Sequence, residues 1–379
     1  MKPSERVAQV PPSGIRRFFE LAEEMDDIIS LGVGEPDFST PWAAREAAIA
    51  SLEQGKTSYT ANRGRRELRE RIETHVDSNY DLDYDADEEI LVTAGASEGL
   101  DLAFRALVNP GDTVAVAQPS YVSYVPGVVF AHGEVLPVPT RREDEFKLTR
   151  EVLEDAGAEA ADLLVMCYPN NPTGATMTAE DLEEVADFAR EHDLGVLSDE
   201  IYAELTYEHD HTSIATLPGM RERTVVFNGF SKAYAMTGLR LGYALGPPDI
   251  VGAMNRIHQY TMLSAPTTAQ YAAIEALDSC DDAVRDMCEQ YDRRRKLVLS
   301  RFEDMGVDCF RSSGAFYAFP ESPWEDPGEF AEALLEAERV AVVPGTAFGE
   351  GGENHLRVSY ATGMDDLKEA MARIARFVD

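Results

Sequence analysis

The sequence predicts an α/β fold: a large domain on a mostly parallel sheet between helices, then a smaller α+β domain. Three observations carry this. Short, continuous apolar runs alternate with amphipathic runs through the middle of the chain. That is the pattern of strands buried on both faces and joined by crossover helices. Near Leu277 the pattern changes to a long charged helical stretch followed by short strands. Finally, polar motifs sit where strands end, the edge at which open α/β sheets gather ligands.

Taken in order, "EEILVTAG" reads as a strand and "SEGLDLAFRALVN" as a helix. "DTVAVAQP" is a strand, "YVSYVPGVVFAHG" a helix and "EVLPVP" a strand. "LTREVLEDAG" is a helix and "ADLLVMCYP" a buried strand. "MTAEDLEEVADFAREHD" is a helix whose Thr178 and Asp181 have capping-box spacing. "LGVLSDE", "TVVFNGF" and "LRLGYALG" are further strands, and "APTTAQYAAIEAL" is a helix. The second region holds the helix "DDAVRDMCEQYDRRRKLVLSRFEDMG", strands in "GAFYAFP", "VAVVPG" and "HLRVSY", and a closing helix "MDDLKEAMARIARFV". The arm, "SGIRRFFELAEE" and "IISLGVGEPDF", is expected to pack on the smaller domain or cross to a partner subunit. The expected division is therefore 1–44 for the arm and part of the small domain, 45–276 for the large domain and 277–379 for the small one.

Charge narrows the function. The 69 acidic residues against 34 basic ones give a formal net charge of −35. The acids are spread along the chain, as in "EEMDD", "DLDYDADEE" and "SCDDAVRD". Such a field repels nucleic acid and anionic membranes, both of which are bound through lysine and arginine. It also repels itself unless counterions screen it, and it far exceeds the magnitude of about 2–8 that keeps a small domain soluble. The expectation is a chain adapted to high salt. No apolar run approaches the roughly 18 residues a membrane span needs. "MKPSERVAQVPPSG" has no apolar segment of a secretory signal, so a cytoplasmic location is expected. Four cysteines without CxxC spacing suit reduced thiols rather than a metal site, and no metal is expected.

The chemistry begins at "NGFSKAYAMTGLR". Lys232 is one of six lysines among the 34 basic residues. A lysine can lose its proton when desolvated and then attack a carbonyl; arginine effectively cannot. "TAGASEGL" ends a strand in Gly95-Ala96-Ser97 and opens a helix, so backbone N–H groups there can meet an anion. "YPNNPTG" is a rigid turn that holds Asn171 in one orientation. "LSDEIY" puts Asp199 at the end of an apolar strand, where a carboxylate needs a cationic partner, with Tyr202 one turn on if a helix starts there. Arg240 opens the next strand. A rival "GKT" at Gly55-Lys56-Thr57 lacks the first glycine of a phosphate loop, since Ala50 holds that place, and it follows no apolar strand. A lysine nucleophile, a buried carboxylate, an orienting Asn and Tyr and an anion cradle at one sheet edge are what pyridoxal phosphate (PLP) requires.

Along essentially its whole length the chain resembles a class I aminotransferase of PLP fold type I, aspartate/aromatic aminotransferase-like. "GFSKAYAMTGLRLG", "PNNPTG", "DEIY", "SYTANRGRRELRE" and "HLRVS" occur in that family's order. The resemblance implies a seven-stranded type of sheet and the following roles. Lys232 is the Schiff-base lysine and the acid–base for proton transfer. Asp199 pairs with the cofactor's ring nitrogen, and Asn171 and Tyr202 hydrogen-bond its phenolic oxygen. Tyr121, in "QPSYVSY", stacks on the ring. Gly95, Ala96, Ser97, Ser231 and Arg240 hold the phosphate, and Tyr59 reaches it from the neighbouring subunit of a homodimer. Arg357 takes the substrate α-carboxylate with help from Gly34. The implied substrates are an L-amino acid, best guessed as aspartate, and a 2-oxo acid such as 2-oxoglutarate. Aromatic amino acids, alanine, or a carbon–sulfur lyase on the same fold are the alternatives. Gly229 departs from relatives that carry Ser or Thr there, which leaves the phosphate shell open.

Overall fold

The computed structural model of the protein describes residues 1–12 and 27–378. The "SGIRRFFELAEE" part of the arm lies outside the described residues.

Among the described residues, twelve strands form three sheets. They are β1 (Ile29–Ser30), β2 (Ile90–Thr93), β3 (Thr113–Gln118), β4 (Glu134–Pro139), β5 (Leu163–Cys167) and β6 (Gly195–Asp199). They continue with β7 (Thr224–Gly229), β8 (Gly242–Leu245), β9 (Tyr317–Ala318), β10 (Val340–Ala341), β11 (Val343–Pro344) and β12 (Leu356–Ser359). The main sheet has seven strands in the order β2-β8-β7-β6-β5-β3-β4. Only β8 runs against its neighbours. The carboxyl ends of the six others and the amino end of β8 therefore share one edge. Every residue of β5 and β7 is buried, as their continuous apolar runs require.

Helices follow the strands as the apolar periodicity predicts. Ala96–Leu107 leaves β2, Tyr124–Phe130 follows β3 and Ala179–Glu191 follows β5. In the last of these, Thr178 accepts from the Asp181 N–H while Asp181 accepts from the Thr178 N–H at 2.8 Å, the reciprocal cap its spacing predicts. The helix in "YVSYVPGVVFAHG" is shorter than expected and begins at Tyr124, which leaves Pro126 inside its first turn, where a missing N–H costs little.

Beyond Leu277 the long helix spans Asp281–Asp304 and packs near a three-stranded sheet, β11-β12-β9. "VAVVPG" is not one strand. Val342 separates β10, which pairs in parallel with β1, from β11, which pairs antiparallel with β12. The arm thus joins the C-terminal region through β1, and the following segment carries Gly32 and Gly34 toward the main sheet's edge. No described helix is long and apolar enough to cross a membrane, and the described residues contain no cluster suited to a metal ion.

Candidate active site

Five strand ends and the crossing segment after β1 meet at a cavity of about 510 Å³. It is lined by Gly34, Ala96, Ser97, Tyr121, Asn171, Asp199, Tyr202, Ser231, Lys232, Arg240 and Arg357. All were singled out from the sequence. Gly95 lies directly behind this wall. Its φ of +82° suits glycine, and a Cβ there would stand 2.6 Å from Arg240 Nη2. The bare backbone lets the guanidinium lie against the start of the Ala96–Leu107 helix, whose free N–H groups favour an anion. Arg240 donates to the Thr237 carbonyl at 2.9 Å, and no carboxylate of the described residues pairs with it.

Lys232 follows β7 by three residues. Its Nζ donates to the Gly34 carbonyl at 2.8 Å. Burial pushes its pKa down to about 8, against an opposing pull from Glu35 and with help from the Arg357 and Arg240 charges. About half of this amine is therefore neutral near pH 8, whereas an exposed lysine is almost wholly protonated there. Asp199 ends β6 with only 4% of its surface exposed. Burial raises its pKa to about 6, and hydrogen bonds from Tyr124 and the Ile201 N–H oppose the rise.

Among the described residues no cation pairs directly with Asp199, and the Lys232 charge acts on it only at longer range. Tyr124 Oη donates to Asp199 Oδ2 at 2.7 Å and the Ile201 N–H donates to Oδ1 at 3.2 Å. Sequence reasoning missed Tyr124, although it lies three residues from Tyr121 and so on the same side of a helical turn. No helix starts between Asp199 and Tyr202. The chain makes successive tight turns instead, with Ala203 N–H on the Glu200 carbonyl and Leu205 N–H on the Tyr202 carbonyl. These still bring Tyr202 to the cavity, where its hydroxyl meets Tyr317 Oη at 2.9 Å.

In the "YPNNPTG" turn, Asn170 is the staple. Its Oδ1 accepts from the Thr173 N–H and hydroxyl at 3.0 and 2.9 Å. That frees Asn171 to face the cavity, where its Oδ1 accepts from Arg357 Nη1 at 3.0 Å and leaves its amide nitrogen as a donor. Arg357 is 3% exposed. Its other amine donates to the Gly32 carbonyl at 2.5 Å, and its Nε has no partner. The guanidinium lies 4.7 Å from the ring centres of both Tyr317 and Phe348. Neither ring was foreseen; Tyr317 comes from β9, which pairs with β12, and Phe348 from the turn that follows β11. Desolvation lowers the Arg357 pKa, and no described carboxylate neutralises it. A buried cation in that state is a receptor for an anion from outside.

Gly229 is explained by packing. A Cβ there would come within 2.7 Å of Gly242 Cα and 2.9 Å of the Leu241 carbonyl, so β7 and β8 close on each other only without a side chain. Tyr59 does not line the cavity of its own chain; it is 79% exposed, on the loop that also carries Lys56.

Removing Tyr124's hydroxyl tests the electrostatics. A hydrogen bond to a carboxylate favours its ionised form, so its loss raises the pKa. A charged hydrogen bond worth about 1.5–3 kcal/mol corresponds to roughly one to two pH units. In Tyr124→Phe, Asp199 is expected to titrate above its wild-type value by that amount, measured by carbon-13 carboxylate NMR of the ligand-free protein. An unmoved titration contradicts the assignment.

Comparison with known proteins finds relatives along nearly the whole chain. Residues 26–374 match the family model for aminotransferase class I and II. The chain is 50% identical over 377 residues to the putative aminotransferase YugH of Bacillus subtilis, covering 99% of this chain and 98% of that one. It is 43% identical to an aspartate aminotransferase of Pyrococcus abyssi, covering 99% of this chain and 98% of that one. Among solved structures, the aromatic aminotransferase from Pyrococcus horikoshii superposes with a TM-score of 0.91 at 43% identity, covering 96% of this chain and 98% of that one.

Proposed function

Since this chain belongs to the aminotransferase class I and II family, we propose that it moves an amino group between an L-amino acid and a 2-oxo acid with pyridoxal 5′-phosphate as its cofactor. Amino-group transfer follows from the family. The cofactor reading rests on one observation above all. Lys232, Asp199, Arg240 and Arg357, from four separate segments, surround a single cavity.

The residues fit the cofactor. The Gly95 cradle with Arg240, which no carboxylate of the described residues neutralises, would take the phosphate through the Ala96 and Ser97 N–H groups, Ser231 and Arg240. Asp199 would hold the ring nitrogen, Tyr121 the ring face, and Asn171 with Tyr202 the phenolic oxygen. When bound, PLP supplies an electron sink that acidifies the hydrogen on the substrate's Cα. The chain's own part is to bind, orient and move protons. Arg357 fixes the substrate carboxylate beside the Gly34 backbone. Lys232 Nζ, neutral at accessible pH, takes up a proton and returns it. Tyr124 keeps Asp199 ionised, so that it favours a protonated ring nitrogen.

Aspartate with 2-oxoglutarate is the proposed pair, supported by the named aspartate aminotransferase relative. A second reading, an aromatic donor, is favoured by a neighbouring cavity of about 870 Å³ that shares Leu100, Tyr121 and Val122 with the first and is walled by Phe104, Val129 and Phe130. The test is a single half-reaction without acceptor, using aspartate, phenylalanine and alanine in turn. A transferase releases one equivalent of oxo acid per site and stops. With a cysteine thioether as a fourth donor, continuous release of thiol, oxo acid and ammonia would mark a carbon–sulfur lyase instead and sink the reading.

The division at residues 44 and 276 is proposed to separate the cofactor-binding and small domains. We further propose a cytoplasmic homodimer in which Tyr59 serves the neighbouring site. Exposed Tyr59, Trp42, Leu52 and Tyr260 support this as large apolar side chains that a second copy would cover. Adaptation to salt is proposed from the charge of −35. Molar KCl is expected to raise the melting temperature by screening acid–acid repulsion. A melting temperature that stays level or falls from low salt to multimolar KCl would refute it.

A further inference from the structure

We propose that Arg294 and Asp37 are positioning residues of the substrate-carboxylate site. Their ion pair fixes the segment whose Gly32 carbonyl orients Arg357 and whose Gly34 carbonyl meets Lys232. The inference rests on the reading of Arg357 as the carboxylate receptor.

The segment from Leu31 to Thr40 crosses from the C-terminal sheets to the main sheet's edge. At its start, the Leu31 N–H donates to the Ala341 carbonyl at 2.8 Å and its carbonyl accepts from the Ser359 N–H at 2.7 Å. At its end, Thr40 Oγ1 donates to the Ala235 carbonyl at 2.7 Å. Between these anchors lie both carbonyls that meet the site's cations, Gly32 for Arg357 and Gly34 for Lys232. The tie from this stretch to the long Asp281–Asp304 helix is a two-pronged one. Arg294 Nη1 donates to Asp37 Oδ1 at 2.7 Å and Nη2 to Oδ2 at 2.9 Å.

The guanidinium is itself held. Its side chain is 7% exposed and its centre lies 4.9 Å from the Phe38 ring and 5.5 Å from the Tyr291 ring. A buried planar fork packed against two rings that also touch each other has little room to swing, so it transmits a fixed position to Asp37. A lysine would keep the charge but not the two parallel bonds. Because Arg357 finds its place through Gly32 and Asn171, a looser segment misplaces the carboxylate receptor without touching the reacting atoms. Small misplacements of positioning groups carry large costs in binding.

The test is steady-state amino-transfer kinetics of the holoenzyme for wild type, Arg294→Met, Arg294→Lys, Asp37→Asn, the Asp37→Asn/Arg294→Met double variant and Arg357→Leu. Arg294→Met and Asp37→Asn are each expected to raise KM for both amino acid and oxo acid about tenfold, with kcat changed by less than about threefold. The double variant should be no worse than the worse single variant, because both remove one interaction. Arg294→Lys should recover part of the loss. Should Asp37→Asn fail to fold with its guanidinium stranded, Arg294→Met and its lysine counterpart still decide. KM unchanged in Arg294→Met while Arg357→Leu raises it overturns this inference alone, as does a loss confined to kcat or an additive double variant. KM unchanged in Arg357→Leu overturns the carboxylate reading and this inference with it.

Discussion

Lys232→Ala is expected to lose amino-group transfer by about 10⁴-fold or more while the protein still takes up PLP. Acid–base and nucleophilic roles of one side chain are each worth orders of magnitude. The groups proposed to hold the cofactor are elsewhere: Arg240 beside Gly95, Asp199 at the end of β6, Tyr121 after β3. The lysine makes one hydrogen bond, to the Gly34 carbonyl, and its charge is disfavoured by burial, so its removal should not unfold the chain. Lys232→Arg should fail as completely, since a guanidinium stays protonated at any pH the protein tolerates. Stopped turnover with retained PLP is read by kinetics and by cofactor content after gel filtration. Turnover within tenfold of wild type in either variant removes Lys232 from the mechanism.

Arg357→Leu is expected to weaken amino-acid and oxo-acid binding together and to leave PLP bound. Losing a buried, hydrogen-bonded charge pair costs about 2–5 kcal/mol, or roughly 30-fold to several thousand-fold in kcat/KM. The ligand-free protein should melt nearly where the wild type does. The substitution deletes a desolvated cation that no described carboxylate neutralises, and this offsets the hydrogen bonds lost at Asn171 and Gly32. Half-reaction constants for several amino acids check this; unchanged constants contradict the role.

What the sequence made legible follows from what each contact depends on. Continuous apolar runs such as "LLVMC" and "TVVF" fix strands by themselves, and the turn after each strand travels with it. That is why Gly95, Asn171, Asp199 and Lys232 could be placed at one edge. The cap at Thr178 was legible for the same local reason. Tyr124 was not, because its partner Asp199 is 75 residues away and reaches it only once β3 and β6 flank β5. The aromatic faces of Tyr317 and Phe348 on Arg357 depend on how β9 and the Gly345–Phe348 turn are set around β12, and the Asp37–Arg294 tie on how the segment after β1 crosses the long helix. No local pattern encodes that. Whether a helix or turns follow Asp199 was not legible, because tight turns satisfy the backbone there equally well.

The central claim is that this cavity holds PLP on the Nζ of Lys232. Borohydride reduction of the holoenzyme followed by peptide mass spectrometry tests it most directly. One pyridoxyl group per chain is expected, on Lys232. A pyridoxyl group on any of the other five lysines, or on none, would contradict it.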